Sequence, residues 1–238
     1  MDYSKWPLVV NNLNKTVRKF QILREVSFKV PKGSICAFIG HNGAGKTTII
    51  KSVMDLFQYE SGEIKLNGAN AKDTIQSHRN VGYVPERDFF PKTTGRIFLT
   101  DLCAYYQMSK KDTAKKIDYY ARVFNCKNKL DTNMQYLSSG QKKKFLIIQA
   151  LLHSPDFYIL DEPTDNLDPD TREIFYKVIS LLHKQGKTIF ISTHNLDEIQ
   201  NYATYLIILV EGQICYQAHT KNKNLYRIYD KYKPRSII

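Results

Sequence analysis

The chain is poor in the residues that build covalently or metal-held folds. Its four cysteines, Cys36, Cys103, Cys126 and Cys215, are scattered and form no CxxC pair. Disulfide and zinc-site spacings are thereby excluded, leaving ordinary reduced thiols. Long apolar runs are missing as well. The longest, "FLIIQALL" and "YLIILV", fall well short of the ~18–20 residues that a membrane span needs. The opening "MDYSKWPLVVNNLNK" lacks the unbroken apolar region of a leader, so a cytoplasmic location is expected. No internal repeat or low-complexity linker interrupts the sequence. Acid is scarce beside base, with 23 Asp and Glu against 35 Lys and Arg and a formal net charge of +12. Such a balance suits nucleic acid, an anionic membrane face or an anionic substrate. The lysines are spread along the chain without a dense block, however. They read as a solvated surface, and no nucleic-acid partner is expected.

What is present is an ordinary globular composition, 42% hydrophobic and 24% charged over 238 residues, enough to bury a full core. Strand candidates are "VSFKV" (26–30), "SICAFIG" (34–40), "GEIKLNG" (62–68), "VGYVP" (81–85), "FYILD" (157–161), "TIFIS" (188–192), "YLIILV" (205–210) and "QICYQ" (213–217). "CAFIG", "FYILD" and "TIFIS" are almost wholly apolar, as parallel strands covered on both faces should be. The early stretches alternate and are bounded by "PKG" and "NG", which predicts a small antiparallel sheet near the N-terminus. Between about 87 and 154 the strand signal disappears. There, Phe98, Leu102, Tyr105 and Tyr106 share one helical face. Ser109 and Asp112 then open a second helix with a stripe of Ala114, Ile117, Ala121 and Phe124.

The strongest local signal is "GHNGAGKTT": Gly40, His41, Asn42, Gly43, Ala44, Gly45, Lys46, Thr47 and Thr48. It fits the phosphate-loop pattern at every fixed position, with a buried strand before it and a helix after it. The glycines let backbone N–H groups turn toward phosphates, and the helix N-terminus adds partial positive charge. Lys46 is placed to reach β- and γ-phosphates, and Thr47 to hold Mg2+. "FYILDE" ends a strand in Asp161, placed to reach that metal, and Glu162, placed to polarise an attacking water. His194 follows the strand "TIFIST" at the same sheet end. Finally, "YLSSGQKKKF" has the look of a second anion-binding turn, far from the first.

These motifs, in this order, resemble the ATP-binding cassette (ABC) ATPases, specifically exporter-type nucleotide-binding domains. "GHNGAGKTT" stands as Walker A, "YVPE" at the Q-loop, "LSSGQ" as signature, "FYILDEP" as Walker B, "DNLD" as D-loop and "STH" as the switch histidine. The resemblance covers residues 8–216. It implies an α/β fold: a phosphate-loop NTPase (RecA-like) parallel-sheet core, an N-terminal antiparallel β subdomain, and a helical subdomain inserted at about 87–154. One domain would span 1–218, followed by a short basic tail at 219–238. It also implies ATP and Mg2+ as cofactors and ATP hydrolysis coupled to transmembrane transport. Catalysis would rest on Glu162, His194 and Lys46, and the metal on Thr47, Asp161 and Glu86.

The partners implied are a membrane permease and a second cassette, homo- or heterodimeric, in a peripheral position on the inner membrane face. Ser138, Ser139, Gly140 and Gln141 would cap the γ-phosphate of ATP bound by the opposite subunit. Departures from the family pattern are Ser139 in place of a glycine, Glu86 in place of glutamine, and "DNLD" with Asp168 as the matching acid. The adenine-stacking position falls on Val17, with Phe20 the nearest aromatic. Glu86 resembles exporter-type cassettes. Phe89, Phe90 and Ile97 are candidate anchors for a helix of the permease. The alternatives are a soluble ABC ATPase acting on ribosomes or DNA, and a weakly hydrolysing nucleotide sensor.

Overall fold

A computed structural model describes residues 5–87, 90–221 and 223–233. Strands β1 (Leu8–Val17) and β2 (Phe20–Val30) form a hairpin; β3 (Ile35–Ile39) then leads through a loop into helix α1 (Lys46–Val53). Strands β4 (Ser61–Leu66) and β5 (Ala69–Asn70) complete an antiparallel sheet ordered β2-β1-β4-β5. β1 was not foreseen from sequence. Asn11, Asn12 and Asn14 are poor strand formers, and Asn12 takes φ 46° where the pairing of β1 with β2 shifts register.

Helix α2 (Thr74–His78) and strand β6 (Val81–Val84) precede the helical insert, comprising α3 (Gly95–Tyr105), α4 (Lys110–Val123) and α5 (Ser139–Leu152). The chain returns through β7 (Phe157–Asp161), α6 (Pro169–Lys184), β8 (Thr188–Thr193), α7 (Leu196–Ile199), β9 (Tyr205–Val210), β10 (Gln213–His219) and α8 (Leu225–Tyr232). The second sheet runs β10-β9-β3-β8-β7-β6, parallel except for β10 at its edge. Part of the stretch expected as a basic tail is therefore α8, whose Leu225 is buried in the main core.

The parallel strands are apolar on both sides because each side has its own core. Cys36 and Phe38 of β3 face the antiparallel sheet, where Phe28, Phe38 and Phe190 stack with centroids 5.1–5.8 Å apart. Ile35, Ala37 and Ile39 face the helical side. The parallel strands of such a sheet all end at one rim, and loops leaving that rim carry the chemistry.

Two helical stripes need correction. In α3 the buried positions are Gly95, Leu99 and Cys103, while Phe98, Leu102 and Tyr106 flank them and Tyr105 is 78% exposed. The cause is Gly95: a Cβ there would overlap the Phe145 ring, so the helix settles with that side inward. In α4 Ala114 is exposed and Thr113 takes its place beside Ile117, Ala121 and Phe124, hydrogen-bonded to Cys103. The expected cap is present, with the Ser109 side chain accepting from the Asp112 N–H.

Candidate nucleotide site

The phosphate loop leaves the rim of the parallel sheet where β3 ends. Gly43 has φ 86° and no atom within 4 Å of where a Cβ would stand, so its backbone faces open space. Gly45, at φ 108°, is the N-cap of α1, with no side-chain hydrogen bond closing the helix and no acid in its first turn. That leaves backbone N–H groups and the positive helix end directed outward, the arrangement an anion takes up. Behind it, a Cβ on Gly40 would come within 2.6 Å of the Leu209 carbonyl oxygen, which fixes how tightly the loop packs on β9. His41 turns its Nδ1 to the Asn42 carbonyl at 2.8 Å, and Asn42 itself is exposed. Thr48 is half-buried, its carbonyl accepting from the Ser52 hydroxyl at 3.0 Å.

Lys46 is 6% exposed. Its ammonium donates to the carbonyls of Gly40 at 2.7 Å and His41 at 3.4 Å, and pairs with Glu162 Oε1 at 3.2 Å. Glu162 stands in the left-handed region at φ 43°. Its N–H donates to the Ser192 hydroxyl at 3.0 Å, and its Oε2 lies 3.0 Å from His194 Nδ1. Lys46, Glu162 and His194 are thus brought together. Asp165 joins them: ligand atoms of Glu162, Asp165 and His194 all lie within 4.8 Å of one another. Burial, and then the charge of Glu162, push the Asp165 carboxyl above its ordinary range.

Asp161 closes β7 with its side chain fully buried. The Ser192 hydroxyl donates to Oδ1 at 2.5 Å, whereas Oδ2 is buried without a hydrogen-bond partner. Burial raises this carboxyl; the Ser192 and Thr47 hydroxyls oppose the rise, and Glu86 and Glu162 reinforce it. Thr47 Oγ1 donates to Glu86 Oε2 at 3.2 Å. A hydroxyl and two carboxylates, one with an orphaned oxygen, form an all-oxygen set that fits a hard divalent cation such as Mg2+.

The signature turn begins α5. Ser138 and Gln141 make a reciprocal capping box, Gln141 N–H to Ser138 Oγ at 3.3 Å and Ser138 N–H to Gln141 Oε1 at 3.1 Å. A hydroxyl that accepts here still has its own hydrogen to donate. Ser138 and Ser139 are exposed. Gly140 cannot carry a side chain, since a Cβ would collide with the Asn166 carbonyl of the D-loop. Asp168 caps α6 and pairs with Lys144 at 3.3 Å. The Thr171 N–H and hydroxyl, aided by Lys144, hold the Asp168 carboxyl down at about 2. The signature turn therefore lies against the D-loop of its own chain, with its serines turned to solvent.

Residues 23–165 match the family model described as "ABC transporter". The chain belongs to the ATP-binding cassettes of ABC transporters. It is 39% identical over 207 residues to a putative ABC transporter ATP-binding protein of Mycoplasma pneumoniae, spanning 86% of this chain but only 63% of that protein. It is 32% identical over 209 residues to the Nod factor export ATP-binding protein I of Burkholderia orbicola, covering 87% and 69% of the two chains. A solved ATP-binding subunit of an ABC transporter superposes with a TM-score of 0.85 at 27% identity, over 94% of this chain and 98% of that one.

Other features of the cassette fall outside the central cluster. Val17 pairs with Phe20 at the β1–β2 turn, 36% and 73% exposed. Nearby, Ile22 and Leu23 of β2 lie against Gly45 of the phosphate loop. Of the candidate permease anchors, Phe89 lies outside the described residues. Phe90 packs edge-on to Phe98 with centroids 6.4 Å apart, and Ile97 is 50% exposed. No helix among the described residues is long and apolar enough to cross a membrane.

Sequence reasoning missed Asp165, Ser192 and Lys143. Lys143, 3% exposed, donates to the carbonyls of Glu86 at 2.9 Å, and of Pro85 and Glu162 at 3.2 Å each. Burial lowers its affinity for a proton, while Asp165, Asp161, Glu86 and Glu162 oppose that. A run of three lysines hides it, although its spacing four before Ile147 puts it on the buried face of α5.

Proposed function

We propose that this cassette binds and hydrolyses Mg2+-ATP and powers export through a separate membrane permease. It would work head-to-tail with a second cassette, at the cytoplasmic membrane face. The observation that carries the reading is the Lys46–Glu162–His194 cluster beside the orphaned Asp161 oxygen. Cation, base candidate and metal-binding oxygen converge there at the mouth of an anion-binding loop. Lys46 and the loop N–H groups hold the phosphates. Glu162, oriented by His194, accepts the proton of the attacking water. Thr47, Asp161 and Glu86 are the residues to hold Mg2+, which when bound neutralises developing phosphate charge.

The exposed Ser138 hydroxyl, with the N–H groups that open α5, supplies donors for a γ-phosphate held by a neighbouring cassette. Such donors reward closure only while that phosphate is present, so nucleotide sets the association equilibrium. Export is supported by Glu86 at the Q-loop position and by the likeness to a Nod factor export protein. The test is Glu162→Gln incubated with Mg2+-ATP, with Lys46→Ala as the control that cannot hold nucleotide. Light scattering should report a nucleotide-dependent dimer for Glu162→Gln alone, both free and with the permease. A strictly monomeric variant saturated with ATP would refute the sandwich.

A further inference from the structure

Lys143 is a buried cation that lies outside the motifs. Its run is "KKK", yet the three lysines have different environments. Lys142 Nζ lies 5.6 Å from the Phe90 ring centroid, Lys144 pairs with Asp168, and Lys143 points into the protein. An ammonium has three hydrogens, and Lys143 gives them to three carbonyl oxygens, on Pro85, Glu86 and Glu162. These acceptors lie on two segments remote from α5 in sequence. One segment carries the Q-loop acid and the other the general base.

The contact to Glu162 matters most. Glu162 is a non-glycine residue held at φ 43°, a conformation that persists only where its surroundings over-determine it. Ser192 holds its N–H, Lys46 and His194 hold its side chain, and its carbonyl accepts from Lys143 at 3.2 Å and from the Asp165 N–H at 3.3 Å. Losing the Lys143 contact leaves that carbonyl held by the Asp165 N–H alone, which loosens the fixed backbone from which the carboxylate projects. Within the reading of this chain as a hydrolysing cassette, we propose that Lys143 is a positioning residue. It locks the backbone of Glu162 and Glu86 to the signature helix, so that the base is aimed at the attacking water.

The experiment uses the full chain and Lys143→Met, which keeps the stem but no donors. ATP affinity, measured by equilibrium binding, should stay within about threefold, while kcat falls by about 30-fold or more, since the lost geometry matters to the reaction step. Glu162→Gln supplies the readout that a merely structural role would not move. In that background, Lys143→Met should lower the residual single-turnover rate by less than about twofold, because residues acting as a unit are not additive. Unchanged kcat in the single variant overturns the proposal, as does a full additional loss in the double variant or an ATP affinity that falls in step with kcat. Should Lys143→Met fail to fold, Lys143→Arg is read by the same criteria, since a guanidinium keeps charge and donors but not the three-way fit. Wild-type turnover that equals Lys46→Ala turnover would instead sink the underlying ATPase reading.

Discussion

Asp161 offers a place where function and stability should pull in opposite directions. Its carboxylate is fully buried, and one oxygen finds no hydrogen-bond partner. Asp161→Asn keeps the shape and the acceptor for the Ser192 hydroxyl, and removes the charge. A buried polar group left unsatisfied costs about 1–3 kcal/mol, more when charged. The Lys143 ammonium, which interacts favourably with Asp161, offsets part of that cost. Stabilisation of about 1–2 kcal/mol is therefore expected in protein without nucleotide. For a chain of this size that is a rise in melting temperature of roughly 2–8 °C. With Mg2+-ATP the order should reverse. Ligand at about a hundred times its Kd stabilises by about 2.7 kcal/mol, and the variant loses the metal-dependent part. The pH dependence follows from the raised carboxyl. It binds its proton more firmly folded than unfolded, so it favours the fold below about pH 4, its unfolded range. That contribution is lost as pH rises through the elevated value. The gap between variant and wild type should consequently widen from about pH 4 toward neutrality. Differential scanning fluorimetry, with and without Mg2+-ATP, measures all of this. A variant that melts lower than wild type without nucleotide at neutral pH would refute the reasoning.

Phe20→Ala should weaken ATP binding by roughly 1–3 kcal/mol, the worth of one base–aromatic stack, with little change in melting because the ring is 73% exposed. Equal affinities in a fluorescent-ATP titration would show that Phe20 does not replace the aromatic missing at Val17. His153, stacked on Tyr106 at 3.8 Å and pushed by burial down to about 4, binds its proton more readily unfolded. Its stabilising effect is complete above the unfolded value near 6.5 and is lost as pH falls to about 4, at most about 3 kcal/mol before discounting for solvent exposure of the ring. His153→Gln should flatten the acid limb of stability across that window. Urea melts at pH 7 and pH 4.5 read the difference, and an unaltered limb contradicts the assignment.

Sequence patterns disclosed the parts of the molecule whose chemistry needs contiguous residues. Gly43 and Gly45 are readable because a phosphate-cradling backbone demands positive φ at those points. "FYILD" and "TIFIS" are readable because strands with a core on each face have no polar side. What escaped depends on partners distant in the chain. The rotation of α3 is set by Gly95 against Phe145 of another helix. The strand β1 survives its asparagines because Asn12 accepts a bulge and donates its N–H to the Ser27 hydroxyl. Lys143 reads as one more solvated lysine until Pro85, Glu86 and Glu162 are known to converge on it.

The same convergence constrains how the site can work. Glu162 has two carboxylate oxygens, one beside Lys46 and the other beside His194. Both members of the Lys46–Glu162 pair are almost fully buried, at 6% and 8% side-chain exposure. Breaking such a pair without replacement costs about 3–5 kcal/mol, so Glu162 is not released spontaneously to act on water. A phosphate accepting from Lys46 provides the replacement, because it competes for the hydrogen that Glu162 holds. The bond from Lys46 to the Gly40 carbonyl at 2.7 Å can persist meanwhile and keep the ammonium in the loop. Under the proposed function, the base would gain a free oxygen only as a phosphate gains the lysine, which would tie hydrolysis to occupancy of the loop by competition for one proton donor.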